Sequence, residues 1–158
     1  MITFTRGDKK FNYRVAGIFI RDGCVLLHRA ETEPFWTLPG GRCELMESGG
    51  VALVREMQEE LSVRVRVERL VWLAESFFQY EGLDCHEIGM YFQAHLPHDA
   101  LRYAVGEVFL GDEAGMTLLF RWFDLAELPG LYVLPRFLGR GLPALPDTMQ
   151  YVVDTEGL

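Results

Sequence analysis

The feature that most constrains this chain is one stretch of helical period, Ser48 to Leu61, in a sequence otherwise written in short β-branched and apolar runs. Ser48 is suited to cap a helix N-terminus, and Gly50, Val54, Met57 and Leu61 recur at the spacing of one helix face. With one long helix and many strands, the natural way to bury both is a mixed β-sheet flanked by helices.

The strands are read from alternation and turn residues. Phe11 to Ile20 and Val25 to Arg29 read as two antiparallel strands about Arg21-Asp22-Gly23-Cys24, where Asp-Gly is a hairpin signal. Residues 30 to 41, with Pro34 and Pro39-Gly40-Gly41, read as a loop. Val63 to Tyr80 begins with strict alternation, as a half-buried strand does, and ends at the turn Glu81-Gly82-Leu83-Asp84. Glu87 to Leu96 and Met116 to Phe123 read as further strands, with Gly111 to Gly115 as a loop before the second. From Leu125 on, four of the seven prolines predict a short helix and irregular covering structure. With no repeat and no shift in composition, residues 1–158 read as one domain.

The formal net charge is -8, with an isoelectric point near 5.0, so no general attraction to nucleic acid or to an anionic membrane surface is expected. A polyanionic substrate would need local help from bound cations or placed Arg and Lys side chains. Cys24, Cys43 and Cys85 are odd in number, widely spaced and without a metal-ligand cadence, which points to reduced thiols and a cytoplasmic location. The N-terminal residues lack the apolar region of a secretory signal, and no apolar run reaches the roughly 18 residues of a membrane span.

The chemistry concentrates in the helical stretch. Glu56, Glu59 and Glu60, three and four residues apart, fall on one face, which the periodicity sets opposite Val54, Met57 and Leu61. Like charges at that spacing disfavour a helix by about 0.2–0.5 kcal/mol per pair, so the row invites a compensating cation. Arg55 compensates in part and leaves open a solvated acidic face. A hard divalent ion is the alternative, because magnesium takes oxygen ligands and bridges carboxylates to phosphates. The preceding glycines allow close backbone approach to a ligand, and the helix N-terminus favours an anion.

Residues 41 to 63 resemble the Nudix signature, G-x5-E-x7-R-E-U-x-E-E-x-G-U, where U is a bulky aliphatic residue. Gly41, Glu47, Arg55, Glu56, Met57, Glu59, Glu60 and Val63 match its fixed positions, and Ser62 replaces the last glycine. Val25-Leu26-Leu27-His28-Arg29 and Trp36-Thr37-Leu38-Pro39-Gly40-Gly41 resemble the strand and loop that lead into such boxes, and the likeness extends to about Phe123. Ser62 stands where a left-handed C-cap is expected, at a cost on the order of 1 kcal/mol and without loss of a ligand.

The resemblance implies an α/β/α sandwich and hydrolysis of a nucleoside diphosphate linked to another group. It assigns Glu56, Glu59 and Glu60 to Mg²⁺, with Mn²⁺ as a substitute, and gives Arg55 the task of orienting Glu56 and holding the Gly40-Gly41 loop through Glu47. Glu56 is the first candidate for general base, with Glu87 and Glu113 as candidates for a further carboxylate on the metals. Arg29 is a candidate for substrate phosphate, and Phe35 and Trp36 for stacking a base. Tyr80, 17 residues after Val63, has a spacing resembling that of dinucleoside polyphosphate hydrolases. Nucleoside di- and triphosphates, ADP-ribose, nucleotide sugars and dinucleoside polyphosphates are the candidate substrates. Family members often form homodimers, which this composition permits. The competing reading is a non-catalytic Nudix-fold module that binds a nucleotide and regulates.

Overall fold

The computed structural model describes residues 1–99, 105–113 and 115–158, the side chains of 112 and 113 excepted. Two sheets are built from ten strands. The first takes β1 (Thr3–Arg6), β2 (Lys9–Ile18), β5 (Gly40–Arg42), β6 (Arg66–Tyr80), β7 (Leu83–His95) and β10 (Gln150–Gly157). Its order is β1-β2-β7-β6-β10, with β5 also on β2. β2 runs parallel to β7 and β10 parallel to β6, while the other pairs are antiparallel, so the sheet is mixed. The second takes β3 (Ile20–Arg21), β4 (Cys24–Ala30), β8 (Val108–Glu113) and β9 (Met116–Asp124), in the order β3-β4-β9-β8.

Two cores form on opposite faces of β2, which is why its end is an unbroken apolar run. Val15 joins Leu53, Met57 and Phe120 under helix α1 (Gly49–Leu61). Ala16 and Ile18 join Trp72, Tyr91 and Phe123 beneath a 3₁₀ helix (Leu125–Gly130) and α2 (Phe137–Gly141), through Leu128 and Leu138. The strands therefore lie between helical layers, the α/β/α arrangement expected.

The Asp-Gly hairpin forms, with Asp22 at φ 49° and Gly23 at φ 75°, the left-handed pair that a two-residue turn requires. The run Phe11–Ile20 is not one strand, however. The chain leaves the first sheet after Ile18, passes Phe19 and enters the second, where only Ile20 and Arg21 pair with β4. Ile18 and Phe19 are buried and Ile20 half-buried, one continuous apolar run, so hydrophobicity gives no sign of the change of sheet.

Further boundaries differ from the expectation: Gly40 and Gly41, read as loop, pair with β2 as β5, and β7 begins at Leu83, inside the expected turn, not at Glu87. β6 starts at Arg66, not at Val63: Val63 and Val65 are buried and Arg64 is exposed, but this alternation anchors the segment on the core without a ladder. Gly111 to Glu113, expected as loop, belong to β8. There a Cβ on Gly111 would stand 2.4 Å from the Phe120 ring and 2.8 Å from the Glu60 carbonyl oxygen, so this glycine serves close packing. The tail also holds more order than its prolines suggest. Asp124 and Glu127 form a capping box on the 3₁₀ helix, and β10 extends the first sheet at the edge of β6.

Among the described residues no helix is long and apolar enough to cross a membrane. The three cysteines are free and buried.

Candidate active site

Helix α1 begins at Gly49 behind Ser48, whose backbone is extended and whose side chain makes no capping bond. It ends as expected at Ser62, at φ 56° and ψ 32°. The Ser62 amide donates to the Gln58 carbonyl at 3.1 Å and the Val63 amide to Met57 at 3.3 Å, which satisfies carbonyls the helix would otherwise leave open.

The face of the helix differs from the periodicity reading. Its buried residues are Gly49, Ala52, Leu53, Glu56, Met57 and Glu60, a stripe one residue earlier than the expected one. Glu56 and Glu60, 7% and 3% exposed, therefore point inward beside Met57, and only Glu59 faces solvent. Polarity misleads here because the carboxylates are buried by a site, whereas Val54 and Leu61 are only partly covered.

Arg55 gathers this site. Its Nε and Nη2 each donate to one oxygen of Glu47 at 2.9 Å, a two-pronged pairing, and Nη2 also donates to the Arg42 carbonyl at 3.0 Å. Nη1 donates to Glu56 at 2.7 Å and to Glu59 at 3.1 Å. One guanidinium thus joins the loop before the helix, β5 and two box glutamates. The Glu47 carboxyl is held below its usual range by these bonds from Arg55. Glu56 is pushed above its usual range, because burial outweighs the opposing bond and charge of Arg55.

Gly41 explains how Glu56 is seated. A Cβ there would lie 2.3 Å from the Glu56 carboxyl carbon and from one of its oxygens, so only glycine lets the carboxylate rest against β5. Gly40 has φ 150°, and a Cβ on it would stand 2.1 Å from the Val15 carbonyl oxygen. The preceding loop is pinned to the strands: Arg14 donates to the Leu38 carbonyl at 3.0 Å and the Gly17 amide to Pro39 at 2.8 Å.

His28 is a neighbour that sequence reasoning missed. On β4, its Nδ1 lies 3.5 Å from a Glu60 oxygen, both side chains buried, and its ring tilts on Phe120 at 5.2 Å. In the sequence it is one polar residue in an apolar strand, with no spacing that ties it to the helix.

The other candidates scatter. Arg29 donates to the Glu33 carbonyl at 2.5 Å and lies over the Trp36 ring at 5.1 Å. Trp36 packs edge-on against Phe123 at 4.8 Å, and Phe35 meets Tyr132 at 6.0 Å. The Tyr80 hydroxyl donates to Glu33 at 2.6 Å and is pushed up to about 12, chiefly by that carboxylate. Glu87 is raised by burial and feels Arg14, Arg42 and Asn12, with none of the box carboxylates among the groups acting on it. The Glu113 side chain lies outside the described residues, although its strand β8 runs past Glu60.

The donor set suits a hard divalent cation, since it is all carboxylate oxygen and Glu56 rests in a cradle that a Cβ at Gly41 would fill. Among the described residues no three His, Cys, Asp or Glu side chains are yet gathered as ligands. Arg55 Nη1 instead holds one oxygen each of Glu56 and Glu59. The Glu59 side chain is 57% exposed, and releasing such a pair costs about 0–1 kcal/mol, within reach of a bound ion.

Comparison with known proteins agrees with the geometry. A MutT-like protein of Streptomyces ambofaciens is 42% identical over 57 residues, which cover 35% of this chain and 37% of that one. The match thus spans little more than a third of that relative's length. The NUDIX hydrolase structure from Nitrosomonas europaea superposes with a TM-score of 0.64 at 22% identity, over 92% of this chain and 79% of that one. A MutT protein structure from Bacillus halodurans gives 0.63 at 16%, over 92% and 91%. Both likenesses bear on the fold. The NUDIX domain model matches residues 10–144, which take in the second sheet, the first sheet without its edge strands β1 and β10, the Gly40-Gly41 loop and the carboxylate helix, and the chain belongs to that family.

Proposed function

We propose that this chain hydrolyses a diphosphate linkage in a small nucleotide-like substrate, with Glu56, Glu59 and Glu60 holding one or more Mg²⁺ ions, for which Mn²⁺ can substitute. The observation that carries the reading is the Arg55 hub, which holds Glu56 against Gly41 while Glu60 is buried beside it. Burying two glutamates side by side costs free energy that a bound cation would offset.

A bound divalent cation would neutralise phosphate oxygens and make an attacking water more acidic. The chain's own residues supply position and proton transfer. Arg55 fixes the helix relative to the loop, so the carboxylates meet a substrate with their geometry already set. Glu56, held by Arg55 against β5, is the proposed general base, and Gly41 leaves its oxygens room. Attack of water at phosphorus breaks the anhydride and yields two phosphate-terminated products.

The candidate substrates are nucleoside di- and triphosphates, ADP-ribose, nucleotide sugars and dinucleoside polyphosphates. Residues 1–158 are proposed to act as one domain, because β1 and β10 close the two ends of the same sheet. A cytoplasmic location is proposed from the free cysteines. Incubation of the protein with each substrate class and Mg²⁺ or Mn²⁺, with products identified by mass spectrometry, tests the activity. Metal-dependent cleavage of one class supports it. Nucleotide binding without cleavage of any class would favour the non-catalytic module instead.

A further inference from the structure

The first sheet carries α1 over only part of one face, where Val15 and Met90 are covered. Further along the same face, strand pairing sets Phe4 opposite Phe11, Phe11 opposite His86 and His86 opposite Phe77. Four rings thus cross β1, β2, β7 and β6 in a row. Phe4 stacks on Phe11 at 5.2 Å, Phe77 stacks on His86 at 4.5 Å, and Phe11 meets His86 edge-on at 5.5 Å. Phe4 remains 61% exposed, an open platform rather than a core.

The next residues along the strands are charged. Arg6 pairs with Lys9, and Lys9 with Asp84. Arg6, Lys9 and Asp84 line, with the four rings, a groove of about 420 Å³, and Lys10 borders it from the strand between Lys9 and Phe11. In a chain of net charge -8, Arg6 and Lys9 stand side by side on the ring face. The Lys9 partner is the exposed Asp8 at 3.0 Å, a pair weak enough to yield to a phosphate. His86 is held in place by Glu75 at 2.8 Å, and Glu75 in turn accepts from the Tyr151 hydroxyl at 2.5 Å. The platform is therefore ordered before anything binds.

Flat rings beside clustered cations suit a ligand with a flat aromatic part and an anionic part. Sequence-tolerant stacking of a base combined with charge attraction to its phosphate is that chemistry. The volume lies in the lower range of small-molecule sites. We infer that this groove is a second nucleotide site, which takes the base of one nucleotide on Phe4 and Phe11 and its phosphate on Arg6 and Lys9. None of its lining residues comes from residues 41–63.

Isothermal titration of the full chain with adenosine monophosphate, in the presence of a metal chelator, tests the site separately from hydrolysis. Phe4→Ala and Lys9→Glu are each expected to weaken binding at least about fivefold, with turnover and melting temperature unchanged. Added salt weakens wild-type binding, and Glu59→Gln leaves it intact. Absence of binding at millimolar nucleotide, or wild-type affinity in both variants, would overturn the site. So would a wild-type dimer, seen by light scattering, that Phe4→Ala converts to monomer with no nucleotide bound, since the face would then join two copies. A pentanucleotide bound a hundredfold tighter than the monophosphate would overturn the single-nucleotide reading.

Discussion

Ser62 sits at φ 56°, where a side chain strains the backbone, and it closes the helix with the same two amide bonds a glycine would make. Ser62→Gly is therefore expected to stabilise the protein by about 1 kcal/mol, raising the melting temperature by roughly 2–4 °C with turnover unchanged. Calorimetry on the two proteins checks it. Gly41 is the opposite case. Its backbone is ordinary, but an added Cβ would occupy the place of the Glu56 carboxylate. Gly41→Ala is expected to lower turnover about 100-fold while circular dichroism stays unchanged, since misplacement by an ångström is enough. Undiminished turnover would deny Glu56 its seat. Arg55, Glu56 and the left-handed position of Ser62 were legible in the sequence because fixed spacing along one helix carries them. The seat at Gly41 and the approach of His28 to Glu60 were not, because both join residues far apart in the chain.

Between elements, the Glu47–Arg55 pair ties the loop after β5 to α1, and its acid dependence follows from the sign of one shift. Arg55 depresses the Glu47 carboxyl, so its stabilisation is complete above the ordinary glutamate range and is lost as pH falls through the lowered value. Glu56 is raised, with the opposite sign, but that contribution is common to a comparison in which only Glu47 changes. Glu47→Gln is expected to cost about 1–2 kcal/mol at neutral pH and progressively less in acid, as urea unfolding at both ends of that range will measure. A cost independent of pH would show that the pair does not bear on the fold. Helix α1, the Asp-Gly hairpin and most strands were readable from period and turn residues. The crossing at Phe19, strand β8 and strand β10 were not. Phe19 continues the apolar run Ile18-Phe19-Ile20, the glycine of β8 reads as loop, and β10 is a largely exposed edge strand without an apolar stripe.

At the scale of the molecule, the proposed function requires a chain of net charge -8 to bring a polyanion to a row of carboxylates. The account resolves that conflict with a divalent cation at the box, held by groups that Arg55, Gly41 and burial have already placed. It assigns Glu59 a ligand's task without a structural one, because its side chain is exposed and its bond to Arg55 is the weakest kind of ion pair. The most direct measurement compares wild type with Glu59→Gln for hydrolysis of a nucleotide phosphoanhydride across a Mg²⁺ titration. The account predicts metal-dependent turnover in wild type and a loss of at least about 100-fold in the variant at an unchanged melting temperature. Equal turnover in the two proteins, or full activity in the presence of a chelator, would contradict it.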